Sequence, residues 1–316
     1  MKAVIINRYG SADVLQYQEV EKPSPSPDEV LVRVIASSVN PVDWKLRKGD
    51  LQPLSNLVGL QRLGCDFAGV VEVVGERVTQ FRVGDEVYGM VNPLFGGAYA
   101  EYVAVNASAV ALKPKQATFE QAAAVPVAGL TAFQSLVDLG ELRPGYQVLI
   151  NGASGGVGVF AVQIAKNLYA EVTGVCSGKN RELVLALGAD EVIDYTQENF
   201  LEQGKKYDLI LDAVGKSSFS QCQKILKPEG VYISTLPSWD ILLGMGQSLL
   251  GFGQKAKIVL ALPRSRDFQA LSQLIDQGKI QIIIDSVYPL SEIAQAHRYS
   301  ETGRAVGKIV LKVASS

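Results

Sequence analysis

Ala153-Ser154-Gly155-Gly156-Val157-Gly158 is the segment whose residue types and spacing point most directly to chemistry. It follows the apolar run Val148-Leu149-Ile150 and opens onto a helical pattern, Val159 to Lys166. A strand, a glycine turn and a helix start, in that order, aim unpaired amides and a positive dipole end at an anion such as a pyrophosphate. Gly155 lets backbone approach the phosphates without a Cβ, and Gly158 lets the helix sit close to the strand. Ala153 stands where the G-x-G-x-x-G spacing has its first glycine, and glycine runs also occur in ordinary turns. The dinucleotide reading therefore leans on context, with a strand before, a helix after and a second strand downstream.

That second strand selects the coenzyme. An Asp or Glu at its end would bond the ribose 2′-hydroxyl of NAD. Here Thr173-Gly174-Val175 runs into Cys176-Ser177-Gly178-Lys179-Asn180-Arg181, a hydroxyl and two cations with no carboxylate. Those charges match a 2′-phosphate, so NADPH is expected over NADH. The alternative is that Lys179 and Arg181 only begin a solvated helix.

The elements that must hold this site follow a two-part pattern. The 316 residues suffice for two domains, and 47% hydrophobic with 20% charged residues marks a globular chain. Strand patterns fill the first third: Val30–Ala36, Ala68–Gly75 and Asp85–Gly89. No helix of convincing length is expected before about Thr118, where Thr118-x-x-Gln121 forms a capping box. From Tyr146 strands and helices alternate, with strands expected at 147–150, 171–175, 191–194, 208–212, 230–235 and 257–260. That rhythm predicts an α/β fold with a doubly wound parallel sheet and a ligand at the carboxyl edge of its strands. After about Pro263 come a helix (268–277), an apolar run (280–284), a helix from Ser291 and a strand (307–313). The expected division is 1–121, completed by 264–316, and 122–263, with the ligand cleft between them.

Composition excludes several chemistries. A net charge of −2 carries no electrostatic footprint for nucleic acid. Cys65, Cys176 and Cys222 are too scattered for a disulfide framework or metal clip, and they suit a reducing compartment. The sole histidine, His297, is read as a solvated or half-buried helix residue. A His-rich zinc site is thus excluded, as is a Ser-His-Asp triad built on any other histidine. Cys65 and Asp66 could each bind metal but lack a third soft ligand, so no metal is expected. The N-terminus lacks a signal-peptide pattern, and Ile241–Leu262 is too broken by Gln, Lys and Gly to span a bilayer. A cytoplasmic protein is expected, with association at a membrane surface left open.

Several further motifs carry a family likeness. They include Asn40-Pro41-Val42-Asp43-Trp44-Lys45, Gly64-Cys65-Asp66-Phe67-Ala68-Gly69, Gly96-Gly97-Ala98-Tyr99, Pro126-Val127-Ala128-Gly129-Leu130-Thr131 and Gly307-Lys308-Ile309-Val310. With the glycine turn and Leu187–Tyr195, they resemble the zinc-free branch of the medium-chain dehydrogenase/reductase superfamily, the quinone oxidoreductases and alkenal/enone reductases, over essentially the whole length. The resemblance implies a GroES-like catalytic domain, a Rossmann domain and a homodimer. It puts Ser154, Gly155, Gly156 and Val157 on the pyrophosphate, and Ser177, Lys179 and Arg181 on the 2′-phosphate. Tyr195 and Gly215 would lie at the adenosine, and Thr131, Leu236 and Lys308 at the nicotinamide end. Asn40, Asp43 and Lys45 would stand at the substrate end with Tyr99 on a covering loop, although Asp43 and Lys45 could equally be a surface pair.

The expected reaction is hydride delivery to a quinone or an α,β-unsaturated ketone or aldehyde. Asn40 and Lys45 would stabilise the developing enolate-like charge, and the proton would come from Lys45, Tyr99 or water. The apolar segment 239–252 would either accept a lipid-derived tail or pack an interface. Two other classes stay open, a non-catalytic NADPH-binding protein and a peripheral membrane protein on the same fold.

Overall fold

The computed structural model describes residues 1–50, 62–249 and 253–313, except the side chains of residues 247–249. It comprises two compact units. One is Met1–Ala128 with Pro263–Gly278 and Ile282–Ser316, and the other is Gly129–Leu262 with Lys279–Gln281.

The chain enters through β1 (Lys2–Ile5) and β2 (Gln16–Glu19), an antiparallel pair. It continues through β3 (Glu29–Val39), α1 (Pro41–Lys48), β4 (Asp66–Val74), β5 (Glu86–Met90), β6 (Tyr102–Asn106), β7 (Val110–Leu112) and α2 (Phe119–Ala123). Helix α2 opens with the expected box, Thr118 and Gln121 each bonding the other's amide. Helix α1 corrects the expectation that no helix precedes Thr118. Its signals are local: Pro41 presets the first turn, the Asp43 carboxylate accepts the Asn40 amide at 2.8 Å, and Gly49 ends the helix with φ 90°. With only eight residues and little apolar periodicity, it is hidden from a search for amphipathic stripes.

The second unit begins within α3 (Pro126–Gln134) and alternates thereafter. Its strands are β8 (Gln147–Asn151), β9 (Glu171–Cys176), β10 (Glu191–Asp194), β11 (Tyr207–Asp212), β12 (Leu226–Ser234) and β13 (Lys255–Ile258). Between them lie α4 (Gly156–Asn167), α5 (Arg181–Ala186), α6 (Phe219–Cys222) and α7 (Trp239–Leu249). All six strands are parallel, in the order β10-β9-β8-β11-β12-β13, with the reversal between β8 and β11. A ligand crevice forms at such a reversal, outside the carboxyl ends of the strands. Helix α4 is buried almost all round, from Gly158 to Ala165, which accounts for its small residues. At about 1.5–3 kcal/mol per fully buried large apolar side chain, Val159, Phe160, Val162 and Ile164 anchor it firmly.

The chain then supplies α8 (Ser265–Asp276), β14 (Ile284–Pro289), α9 (Ile293–Glu301) and β15 (Lys308–Lys312) to the first unit. The apolar run 280–284 leads into a strand, its last residue Ile284 opening β14. Strand β15 pairs with β3 at residues 36–39, β6 pairs with β3 at residues 29–33, and β4 runs along its other side. Two register shifts within β3 match this division between partners. Val30, Val32 and Val34 of β3 are fully buried in one core cluster, while Val39, Tyr99, Ile309 and Leu311 belong to a second. No helix of the described residues is long and apolar enough to cross a membrane.

Candidate functional site

In the second unit, four residues turn the chain from β8 into α4. Gly152 adopts φ 84°, and its carbonyl accepts the Gly155 amide at 3.0 Å. A Cβ on Gly158 would lie 2.1 Å from the Gly152 oxygen, so only glycine allows α4 this close to the turn. At Gly155 a Cβ would meet only that same oxygen, at 3.3 Å, and the backbone is extended. The first helical bond runs from the Val159 amide to the Gly155 carbonyl at 3.0 Å. The amides of Gly156, Val157 and Gly158 thus have no acceptor within the helix, and they sit at its positive end.

The neighbouring strand ends supply the rest of the edge. Ser154 accepts a hydrogen bond from Asn180 at 2.9 Å, tying the turn to the segment that carries Ser177, Lys179 and Arg181. The Tyr195 amide donates to the Cys176 carbonyl at 3.1 Å, bringing the end of β10 to the same place. Lys179 and Tyr195 are exposed, whereas the Arg181 guanidinium donates to the Val192 carbonyl at 2.7 Å. The end of β9 itself carries no carboxylate, but one is brought beside it from the neighbouring strand: Asp194, at the end of β10, lies against Gly178. Hydrogen bonds from Thr196 and Gly178, with the Arg181 charge, hold it below the usual carboxylate range. The linear sequence hides it because it comes from the adjacent strand, where it pairs with Cys176.

Across the reversal, Asp212 ends β11 fully buried and gathers five donors. Asn151, Val214 and Gly215 bond one oxygen at 2.9–3.1 Å, and Ser217 and Tyr232 bond the other at 3.0 Å. This pins the loop carrying Gly215, whose α-carbon packs against Leu236. Thr131 is buried in α3.

The first unit holds a buried polar centre built on α1, β3, β4, α9 and β15. Asp66 accepts Ser38 (2.6 Å), Asn40 (2.8 Å) and Lys308 (3.4 Å) on one oxygen and the Val127 amide (2.9 Å) on the other. The Lys308 ammonium, 4% exposed, also donates to Asn40 Oδ1 at 2.5 Å and to the Val39 carbonyl at 3.3 Å, which uses all three of its protons. Asp43 accepts the Asn40 amide, the Tyr99 hydroxyl (2.9 Å) and the Cys65 thiol (3.2 Å). Burial pushes the Asp43 carboxyl up to about 6 and the Cys65 thiol well above its ordinary value.

Asn40, Asp43, Tyr99 and Lys308 are thus brought together. Lys45 lies apart, half-buried, with its ammonium 5.6 Å from the Trp44 ring centre and its pKa lowered by desolvation. Two sequence readings are corrected. Asp43 is 1% exposed and forms no surface pair with Lys45, and His297 is fully buried, with Nε2 3.3 Å from the Tyr99 hydroxyl and Nδ1 3.2 Å from Arg47. Tyr99 is also buried, its hydroxyl engaged. Asp212, Asn180 and Arg47 have no evident role in the sequence, and Asp66 only that of a possible metal ligand. Asp212 alone carries a local signal, its place at the last position of a core strand, where a buried carboxylate needs donors from the following loop.

Two family models match this chain, an alcohol dehydrogenase GroES-like domain over residues 26–115 and a zinc-binding dehydrogenase domain over residues 187–311. The chloroplast envelope quinone oxidoreductase homolog of Arabidopsis thaliana is 35% identical over 327 residues, covering 99% of this chain and 98% of that protein. The chain belongs to the quinone oxidoreductase branch of the medium-chain dehydrogenase/reductase superfamily. It is similar to the chloroplastic NADPH-dependent alkenal/one oxidoreductase of Arabidopsis thaliana, at 34% identity over 98% of this chain and 79% of that one. The quinone oxidoreductase of Coxiella burnetii superposes with a TM-score of 0.92 at 33% identity over 99% of both chains. This medium-chain reductase is therefore an enzyme, an oxidoreductase of the NAD(P)H type, with a GroES-like unit and a parallel-sheet Rossmann unit.

Proposed function

We propose that this oxidoreductase uses NADPH to reduce a conjugated carbonyl compound, a quinone or an α,β-unsaturated ketone or aldehyde, without a metal ion. The observation that carries the reading is the turn between β8 and α4, where three helix-start amides stand over a glycine whose α-carbon meets little protein. The names of the two Arabidopsis relatives, a quinone oxidoreductase homolog and an alkenal/one oxidoreductase, support the substrate class.

Ser154, Gly155, Gly156 and Val157 hold the pyrophosphate. Ser177 and Lys179 take the 2′-phosphate, with Arg181 contributing charge from its place against Val192. Tyr195 and Gly215 border the adenosine, and Thr131 and Leu236 the nicotinamide end. Lys308, its protons already engaged, serves there by holding the Asn40 amide. When bound, NADPH supplies the hydride from its nicotinamide C4. Asn40 and Lys45 orient the carbonyl and stabilise negative charge on its oxygen. The lowered Lys45 pKa suits a group that gives up a proton.

The zinc named in the matched family's description does not fit these residues. The Cys65 thiol keeps its proton and donates it to Asp43, and Asp66 already holds a cation in Lys308. Both ring nitrogens of His297 are engaged by Tyr99 and Arg47. Among the described residues no group of three or more His, Cys, Asp or Glu is placed to hold a metal.

Trp239, Leu242 and Leu243 are 83%, 46% and 70% exposed on α7, which favours an apolar substrate tail or a membrane surface as a second reading. Residues 250–252 of that apolar segment lie outside the described residues. Equal specificity constants for short and long enones, with no flotation on liposomes, would remove it. The primary test follows the absorbance of NADPH and NADH against quinones, enals and enones. Oxidation faster with NADPH and dependent on a conjugated carbonyl is expected, and its absence across the panel refutes the reading.

A further inference from the structure

The buried chain Arg47–His297–Tyr99–Asp43 joins α9 to α1, yet no step of the reaction above uses it. We infer that His297 and Tyr99 are positioning residues. They hold Asp43 as the carboxylate that clamps the first turn of α1, which carries Asn40 and leads into Lys45. The inference rests on the proposed reaction for its catalytic consequence, but its hydrogen-bond logic stands on geometry alone.

That logic runs in one direction. A guanidinium only donates, so His297 Nδ1, 3.2 Å from Arg47, accepts and carries no proton. The neutral ring then bears its proton on Nε2, which faces the Tyr99 hydroxyl at 3.3 Å. Tyr99 accepts there and donates to Asp43 Oδ2 at 2.9 Å. The Asn40 amide reaches the same oxygen at 2.8 Å, and the Cys65 thiol reaches the other at 3.2 Å. Every neighbour of Asp43 donates, so only the ionised carboxylate satisfies them all.

The surroundings enforce this pattern. Arg47, His297, Tyr99, Asp43 and Cys65 are each at most 1% exposed. Arg47 is ion-paired with Glu301, which also holds Lys48, so the guanidinium keeps its charge and its place. On the far side, Asp66 and Lys308 grip the Asn40 side chain while Asp43 grips its backbone. Burial and the Arg47 charge depress the His297 pKa to about 3, and burial with the Asp43 charge pushes Tyr99 well up. The Tyr99 hydroxyl is enclosed and its proton is committed to Asp43, which leaves Lys45 or water to give the product its proton in this proposal.

Having one histidine makes the test unusually direct. Protein labelled with 15N-histidine gives the two ring nitrogens of His297 alone. The expected spectrum shows a protonated Nε2 and a bare Nδ1, unchanged between about pH 7 and 8, above the Asp43 value of about 6. A midpoint in that range, or a proton on Nδ1, overturns the inference without any variant or substrate. For the catalytic consequence, Tyr99→Phe and His297→Leu should each lower kcat about tenfold or more, with KM for NADPH changed less than about twofold. His297→Gln keeps an acceptor toward Arg47 and a donor toward Tyr99, and should restore most of kcat. Native kcat in both Tyr99→Phe and His297→Leu overturns the positioning role. If the native enzyme reduces no conjugated carbonyl, the proposed reaction fails, and the ring spectrum alone decides the assignment.

Discussion

Gly155→Ala separates the binding role of the glycine turn from its structural role. The extended backbone at Gly155 accepts alanine, and the added Cβ meets one protein atom, the Gly152 oxygen at 3.3 Å. Restricting the unfolded chain should contribute about 0.4–1 kcal/mol of stability, offset by a shift of a few tenths of an ångström. The cost falls on the ligand, because the methyl group fills space that a phosphate needs above the amides of Gly156 and Val157. Losing one hydrogen bond to a charged group costs about 1.5–3 kcal/mol, or roughly 10- to 150-fold in Kd. Gly158→Ala is the contrast: its Cβ would lie 2.1 Å from a backbone oxygen, and such overpacking lowers stability by about 1–3 kcal/mol. Calorimetric titration with NADPH, beside urea unfolding, reads both quantities. Gly155→Ala should keep its unfolding midpoint and lose affinity, whereas Gly158→Ala should lose both. Unchanged NADPH affinity in Gly155→Ala would refute the reasoning, whatever its stability.

Three further outcomes are expected. Lys45→Ala should reduce kcat by more than about tenfold with NADPH affinity little changed, and a native rate in stopped-flow turnover would remove Lys45 from the mechanism. Lys179→Ala should weaken NADPH by about tenfold or more while leaving NADH unchanged, and equal losses for both coenzymes would contradict a 2′-phosphate contact. The His297 pKa, about 3 in the folded chain against an ordinary 6.5, contributes stability that is complete above pH 6.5 and lost as pH falls toward 3. The loss is at most about 1.4 kcal/mol per pH unit. Asp43 acts in the opposite sense, its folded value of about 6 lying above 3.8, so stability from it grows as pH falls through 6. Comparing urea midpoints of the native chain and His297→Gln isolates the histidine. The variant should lose less stability between about pH 6.5 and 4.5, and parallel profiles would contradict the assignment.

The parallel sheet was legible because short strand-like segments alternate with helical spacing, clearest at Val148-Leu149-Ile150 and Leu209-Ile210-Leu211, and all six strand positions were anticipated to within a few residues. The glycine turn was legible for a related reason, since a helix packed this tightly on a turn can tolerate no side chain at Gly158. Residues whose importance arises from pairing across the fold were not. Asp194 reaches Gly178 from the next strand, and Asp212 gathers donors from β8, β12 and its own loop. His297 lies on the buried face of its helix with Ile293 and Ala296, but its partners Tyr99 and Arg47 are 198 and 250 residues away, beyond the reach of any local pattern. Helix α1 was missed because caps and a proline define it, not an apolar stripe.

The central claim is direct hydride transfer from NADPH to carbon without an ion. Metal-stripped enzyme given an enone and NADPH deuterated at the transferred C4 position tests it most directly, with mass spectrometry of the product. The account predicts one deuterium on the carbon β to the carbonyl, at the same rate as untreated enzyme given the same deuterated NADPH. Product lacking deuterium, or a reaction that stops on chelation and resumes with zinc, would contradict it.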